Sequence, residues 1–264
     1  MKKTLYNLAV IALILCLLPF NVRAAIELES YAVLRNDADL VHYMRLESAT
    51  ATVGSNMTNN NSVTFISGQF NNAGHFLRAS NQSLYLASDL GIGAGAITLC
   101  SWVKITTQPA NDTRFGIQGK DDGGLFVRYM IQYDDTGGTD RVRFLRNRTG
   151  VADGGYSVNQ TLTTDTWYHI CMTYDTTNIQ GYLDGATLGS ATAASGNGSA
   201  SAHDCYAIGA HCNDDGGGDG TNVDSRANAD IDDAAVFDRA LTSTEIADYY
   251  AATAAAGSSF ISFE

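Results

Sequence analysis

The chain has 264 residues, with 28 Asp or Glu against 16 Lys or Arg and a formal net charge of −12. A surface of that sign repels nucleic acid and anionic membrane, so neither is expected as a partner. The 26 glycines, and acids that are mostly aspartate, suit turn-rich β-structure and disfavour long helices, and the length suits one large sandwich.

Residues 1–24 read as a secretory signal peptide. Lys2 and Lys3 form a basic start, residues 8–18 are an apolar run, and Val22-Arg23-Ala24 offers small residues before a cut. The run is too short to favour a membrane span, so no membrane insertion is expected. Cleavage after Ala24 removes three basic residues and takes the formal charge to −15. The product is expected to be secreted or held at the cell surface, and the Lys-Lys-Thr start has a bacterial character.

Residues 25–38 form a lead segment. The first core strand is expected over 40–46 (Leu-Val-His-Tyr-Met-Arg-Leu), followed by a polar turn at 56–61. Short strands are expected over 63–66, 75–78 and 83–86, separated by Gly and Asn. Residues 96–105 alternate strongly, and 114–118, 125–133 and 141–146 follow, split by Gly-rich turns. Residues 166–174 and 180–183 read as a hairpin, and Asp184-Gly185 then turns the chain. Residues 186–202 read as a strand edge plus loop, 205–209 and 231–237 as strands, and 213–222 as an Asp/Gly loop. The one helix is expected over 242–250, where Thr242 and Glu245 match a capping box. Regular short strands with turn signals predict an all-β, two-sheet antiparallel sandwich with one short C-terminal helix.

Cys16 lies in the signal. Cys100, Cys171, Cys205 and Cys212 remain, an even number in an exported chain, which favours two disulfides. Three pairings are available. Cys100 shares a strand face with Trp102, and Cys171 with Trp167 and His169. If those strands are neighbours their sulfurs meet across the sheet, so Cys100–Cys171 with Cys205–Cys212 is the preferred set.

Several pieces then arrive in a telling order. They are Ala-Ile-Thr-Leu-Cys-Ser-Trp-Val-Lys at 96–104, Asp-Thr-Trp-Tyr-His-Ile-Cys-Met-Thr-Tyr-Asp at 165–175, Gly-Tyr-Leu-Asp-Gly at 181–185, and Ile-Asp-Asp-Ala-Ala-Val-Phe-Asp-Arg-Ala-Leu-Thr-Ser-Thr-Glu-Ile at 231–246. From about Asp39 to Tyr250 the chain resembles the laminin-G-like and pentraxin group of concanavalin A-like jelly rolls. The resemblance implies a jelly roll over 39–252 with a tail at 253–264. It also implies a Cys100–Cys171 disulfide, since pentraxins join a cysteine on each corresponding strand. It leaves function open, because the fold carries lectins, adhesion modules, glycosidases and structural domains.

Two acidic loops carry the candidate chemistry. Asp121 and Asp122 sit in a Gly-rich turn, and Asn213, Asp214 and Asp215 open a second one. Calcium takes six to eight oxygen ligands, and glycine lets backbone carbonyls converge on an ion. By resemblance Asp121-Asp122 matches the first acidic pair of the pentraxin calcium site. The second loop departs from that pattern, with His211 where an acidic ligand stands, Asn213 near the next ligand position, and Asp214 and Asp215 as substitutes. His203, Cys205, His211 and Cys212 could instead hold zinc, which export and disulfide formation disfavour. Tyr129 and Tyr206 are candidate sugar-stacking residues, with Tyr133 and Tyr156 beside them. A glycosidase needs two well-placed carboxylates. No Glu-x-Asp-x-Glu motif occurs; Asp230 and Asp232 share a face, but by resemblance Asp232 matches the family's structural aspartate before the last strand, so no catalytic residue is assigned.

The expected function is therefore a secreted, non-catalytic lectin-like module that binds glycans or cell-surface ligands, with calcium as its cofactor. The alternative is a self-assembling subunit, a homo-oligomer or filament of a fibre, adhesin or surface layer. It rests on the alternating apolar residues of 25–34 and 258–264, either of which could add to a neighbour's sheet edge.

Overall fold

The computed structural model describes residues 36–87, 90–92, 95–111, 113–121, 129–146, 155–194, 205–213 and 223–257. The expected signal peptide, most of the lead segment and residues 258–264 lie outside the described residues.

Among the described residues, seventeen strands and one α-helix follow in chain order. The strands are β1 (Leu40–Met44), β2 (Thr58–Asn60), β3 (Thr64–Ser67), β4 (Asn72–Phe76), β5 (Ser83–Leu86) and β6 (Ile97–Ile105). Next come β7 (Thr113–Asp121), β8 (Tyr129–Asp135), β9 (Asp140–Arg146), β10 (Gly155–Asn159), β11 (Trp167–Tyr174) and β12 (Asn178–Leu183). The last are β13 (Ala186–Ala193), β14 (Tyr206–Ile208), β15 (His211–Asn213), β16 (Val223–Asp224) and β17 (Ala229–Phe237), before helix α1 (Ser243–Gly257). The first sheet runs β13-β12-β11-β6-β17-β4-β3, with β1 also paired to β17. The second runs β10-β9-β8-β7-β14-β5-β2, with β15 attached to β7 and β16 to β15. The pairings are antiparallel except β15 with β7. This is the two-sheet sandwich expected.

Strand alternation explains the two layers of packing. Leu99, Val103 and Ile105 of β6, Ile170 and Met172 of β11, and Ile131 and Val142 of the second sheet point inward and form the core between the sheets. The opposite face of the first sheet is also apolar. Cys100, Trp102, Cys171 and Tyr182 form a second cluster there, covered by Leu241, Ile246 and Tyr249 at and beyond the start of α1. The helix exists to hide that outer face. Its capping box is formed as expected: Thr242 N–H donates to Glu245 Oε2 at 2.7 Å, and Glu245 N–H donates to Thr242 Oγ1 at 3.2 Å.

Cys100 and Cys171 are direct cross-strand partners of β6 and β11 and are joined by a disulfide. Cys205 and Cys212 form the second. That pairing removes both thiolates from any zinc site, His211 is engaged elsewhere, and His203 lies outside the described residues.

The boundaries differ from expectation in instructive places. Part of the polar turn at 56–61 is strand β2, because Asn59 and Asn60 pair with Leu84 and Ser83. Strand β4 begins at Asn72, earlier than expected, and β10 was not expected at all. The helix continues past Tyr250 through an Ala-rich turn, where Ala is the best helix former.

Candidate functional site

Strands β7 and β15 deliver the two acidic segments to one place. β14 runs antiparallel to β7, pairing Ile208 with Gln118 and Ala207 with Gly119. The chain then reverses at Gly209 and Ala210 and returns as β15, parallel to β7, pairing Cys212 with Lys120 and Asn213 with Asp121. The reversal needs Gly209 because its φ is +75° and an added Cβ would lie 2.1 Å from the Phe76 ring. It also needs Gly116, whose Cβ would meet the Ala210 carbonyl carbon at 2.4 Å. The Cys205–Cys212 disulfide clasps the two arms, across a separation of seven residues.

Asp121 and Asn213 are thus register partners at neighbouring strand ends that point the same way. Asp122, Asp214 and Asp215 lie outside the described residues. The structure therefore unites one residue from each expected calcium loop, at the backbone level.

A buried polar row lies on the outer side of the second sheet, behind these strand ends. His211 is buried, and its Nδ1 accepts from the Gln132 amide at 3.0 Å. Gln132 Oε1 accepts from Arg143 at 3.4 Å, which fixes the amide orientation. Arg143 also reaches Asp134 Oδ2 at 3.3 Å, and Arg141 grips Asp134 through both of its oxygens at 3.0 and 3.3 Å. Asp134 is fully buried, so this two-arginine clamp supplies the charge it needs inside the protein. The row stiffens β8, β9 and β15 together and holds the base of the two loops.

The tyrosine assignments are corrected. Tyr129 and Tyr206 are fully buried and face inward, so neither can stack on a sugar. On β8 the inward face is Tyr129, Ile131 and Tyr133, and all three are core residues. Tyr206 donates to Gln118 Oε1 at 2.5 Å, and burial pushes its hydroxyl well above the usual tyrosine range. Tyr129 lies instead beneath the buried guanidinium of Arg146, 5.9 Å from its ring centre. Tyr133 donates to Gln108 Oε1 at 2.9 Å. Tyr156 is half-buried, donates to the Leu188 carbonyl at 3.0 Å, and is pushed up to about 12 by burial. Period-two patterning tells which residues share a face, and says nothing about which face looks inward.

The outer face of the first sheet carries the Asp230/Asp232 pair, each set in its own polar or aromatic row. Across β4, β17, β6 and β11 runs a register row of His75, Asp230, Lys104 and Trp167. Asp230 is buried and holds His75 Nδ1 at 2.5 Å and Lys104 Nζ at 2.9 Å, while Lys104 sits 5.1 Å over the Trp167 ring. Asp230 is thus a structural ion-pair centre. In the next register row stand Asp232, Trp102 and His169. Asp232 is fully buried, and its carboxyl is pushed well above the usual range by burial first, then by Asp233 and Glu47. His169 is fully buried among Trp102, Tyr249 and Tyr250, and burial lowers it to about 3. Among the described residues, one set of three His, Cys, Asp or Glu side chains brings its ligand atoms within 4.8 Å of one another: Cys100, His169 and Cys171. Two of those sulfurs are already bonded to each other.

Comparison with known families decides the fold family. The model of the laminin G family Laminin_G_3, described as the concanavalin A-like lectin/glucanases superfamily, matches residues 78–247. The chain belongs to this family. The match covers β5 to the start of α1, including both disulfides and both loop-bearing strands. No curated protein sequence matches the chain.

Solved structures of similar fold include one domain of an arabinanase and the binding domains of two toxins. Domain 4 of AbnA, a GH43 extracellular arabinanase from Geobacillus stearothermophilus solved with arabinotriose, is 14% identical. That match has a TM-score of 0.60 and covers 80% of this chain and 98% of that one. The binding domain of Paraclostridial Mosquitocidal Protein 1 is 13% identical at a TM-score of 0.59, over 80% of this chain and 52% of that one. The binding domain of Botulinum neurotoxin DC, solved with rat synaptotagmin II, is 10% identical at 0.61, over 81% and 52%. The chain spans about half the length of the toxin binding domains it matches. At these identities the likeness is one of fold.

Proposed function

We propose that this Laminin_G_3 chain is an exported, non-catalytic module that binds glycans or cell-surface ligands through calcium. The ion is held by Asp121 and Asp122 from one loop and Asn213, Asp214 and Asp215 from the other. The observation that carries the reading is the pairing of Asn213 with Asp121, which sets the roots of both acidic segments side by side. Together the two segments are rich in the carboxylate, amide and carbonyl oxygens that calcium takes. An ion there would bind ligand hydroxyls directly, with the His211-Gln132-Arg143-Asp134 row as its rigid base. The neighbours solved with arabinotriose and with rat synaptotagmin II support a binding role in this fold. Export agrees with two disulfides and with the signal-like start.

A glycan array probed with the purified protein, in calcium and then in chelator, tests the reading. Calcium-dependent signal that disappears in the Asp121→Asn/Asp122→Asn variant is the expected result. Absence of glycan binding in both conditions, together with full retention of calcium by that variant, overturns it.

A further inference from the structure

The chain is acidic overall, yet half of the Lys and Arg side chains among the described residues gather at one face and corner of the second sheet. Strand alternation fixes that face. Phe115, Tyr133, Val142 and Phe144 are core residues, so Arg114 of β7, Asp134 of β8, and Arg141 and Arg143 of β9 point outward. Register then lays out two neighbouring rows. One is Arg114, Asp134, Arg141 and Asn159; the other is Gly116, Gln132, Arg143 and Ser157. One carboxylate thus stands among three guanidiniums. Asp135 and Asp140, one position along, fall on the opposite side by the same alternation.

The corner beside β7 adds two more arginines. Arg78 Nη1 donates to the Arg114 carbonyl at 3.1 Å and to the Arg226 carbonyl at 3.2 Å, and Arg226 Nε donates to the Asn81 carbonyl at 3.1 Å. Arg78 and Arg114 are exposed, and no acid among the described residues pairs with either. Even with Asp224, in register with His211 on β16, the five arginines outnumber the acids of this region. A cationic patch on a chain of net charge −12 is a local field of the opposite sign, and it selects anionic partners.

The clamp on Asp134 gives part of this patch a fixed geometry. Arg141 spends Nε and Nη2 on the two oxygens of Asp134, and its Nη1 takes no part in that clamp. Its side chain keeps 24% of its surface in solvent. A guanidinium held this way loses little freedom when it meets a second oxyanion, and its planar fork matches a carboxylate or sulfate group. Exposed Ser157 and Asn159 supply uncharged hydrogen-bonding groups beside it. The two rows carry no large apolar side chain to enter a membrane and no aromatic ring on which nucleic-acid bases could stack.

We propose that this arginine face binds an acidic polysaccharide, pairing its carboxylate or sulfate groups with Arg78, Arg114 and Arg141 and its hydroxyls with Ser157 and Asn159. The contact needs no calcium. It lies on the outer face of the second sheet and does not rest on the Asp121/Asn213 reading.

Titration calorimetry of the full chain in chelator tests this, with polygalacturonate and dextran sulfate as acidic probes and dextran and duplex DNA as controls. Chelator removes calcium from the Asp121/Asn213 site, so binding that persists belongs to the arginine face. Wild type is expected to bind at least one acidic polysaccharide and not dextran, with affinity falling steadily as salt rises. The polymer preferred identifies the acid group. Arg78→Gln/Arg114→Gln changes exposed side chains outside the Asp134 clamp, so its melting temperature is expected to match wild type. Its affinity for the acidic polymer is expected to fall at least about tenfold, with a shallower salt dependence. Three results overturn the proposal: no binding of either acidic polysaccharide by wild type at low salt, unchanged affinity in the double variant, or duplex DNA bound as tightly as the preferred polysaccharide. Loss of the calcium-dependent glycan signal alone, with this binding intact, bears on the Asp121/Asn213 reading and not on this one.

Discussion

His169 shows how one buried side chain can set a pH dependence. It is fully enclosed by Trp102, Tyr249, Tyr250 and the sulfur of Cys171, and no acid among the described residues pairs with its ring. Burial lowers its pKa from 6.5 to about 3. The unfolded chain therefore binds a proton that the folded chain refuses in that window. Stability is full above about pH 6.5 and falls as pH drops toward 3, by up to about 1.4 kcal/mol per pH unit. Thermal melts from pH 7 to 4 should show a steep acid loss in wild type and a flatter profile in His169→Gln. Equal slopes in the two proteins would remove His169 as the cause. Gly209 makes the opposite kind of case, since it is fixed by shape alone. Its φ of +75° and the 2.1 Å approach of Phe76 leave no space for a methyl group. Gly209→Ala is expected to cost on the order of 3 kcal/mol by denaturant titration, from backbone strain and overpacking together. The sequence marks Gly209 only as a strand end; its reason lies in a ring 133 positions earlier, which no local pattern can show.

At the scale of elements, the helix was legible because its signals are local. Thr242 and Glu245 are three apart, and the box they predict is the box that forms. Arg239 extends it, reaching Glu245 Oε1 at 2.7 Å and Asp37 Oδ2 at 2.8 Å. Arginine and the cap hold Glu245 down to about 2. These groups are partly exposed, so the pairs are worth little in water and the cap itself matters more. Thr242→Ala is expected to destabilise by about 1 kcal/mol, measured by urea unfolding. A change under a few tenths would show that packing of Ile246 and Tyr249 alone holds the helix. β2 and β10 were illegible for the converse reason. Thr58-Asn-Asn and Gly155-Tyr-Ser-Val-Asn have poor strand propensity, and each is held by its partner strand rather than by its own residues. β17 carries a bulge between Asp232 and Ala235 that hid in the same way, since the string Asp-Asp inside an apolar strand reads as plain alternation with one exception.

Across the whole molecule, the sheet pairings join segments far apart in the chain: β1 and β3 at one end of the sequence meet strands as late as β17, directly or through β4. Such topology was readable only through resemblance and the cysteine faces; periodicity gave strands without their order. The acids of the proposed site are a reading by residue type, and the register that pairs Asp121 with Asn213 has no signal in the sequence. Asp121 and Asn213 meet because β14 reverses into a parallel β15, a tertiary event held by the Cys205–Cys212 disulfide. The two disulfides should therefore fail differently. Cys100–Cys171 spans 71 positions and ties central strands of one sheet, so Cys100→Ser/Cys171→Ser should lose ~4 kcal/mol of global stability. Cys205–Cys212 closes a short loop worth roughly 2–3 kcal/mol in the same chain-entropy model. Its loss should instead loosen β15 and the root of the second acidic loop. Melting temperatures paired with hydrogen exchange at residues 206–213 separate the two effects. The expected result is a large fall in melting temperature with unchanged relative protection of β15 for the first variant. For the second it is a smaller fall with selective loss of protection there, because the parallel β15–β7 pairing rests on two register pairs and the sulfur clasp. Equal exchange in β15 for both variants would mean that the reversal is held by Gly116 and Gly209 packing without help from the disulfide.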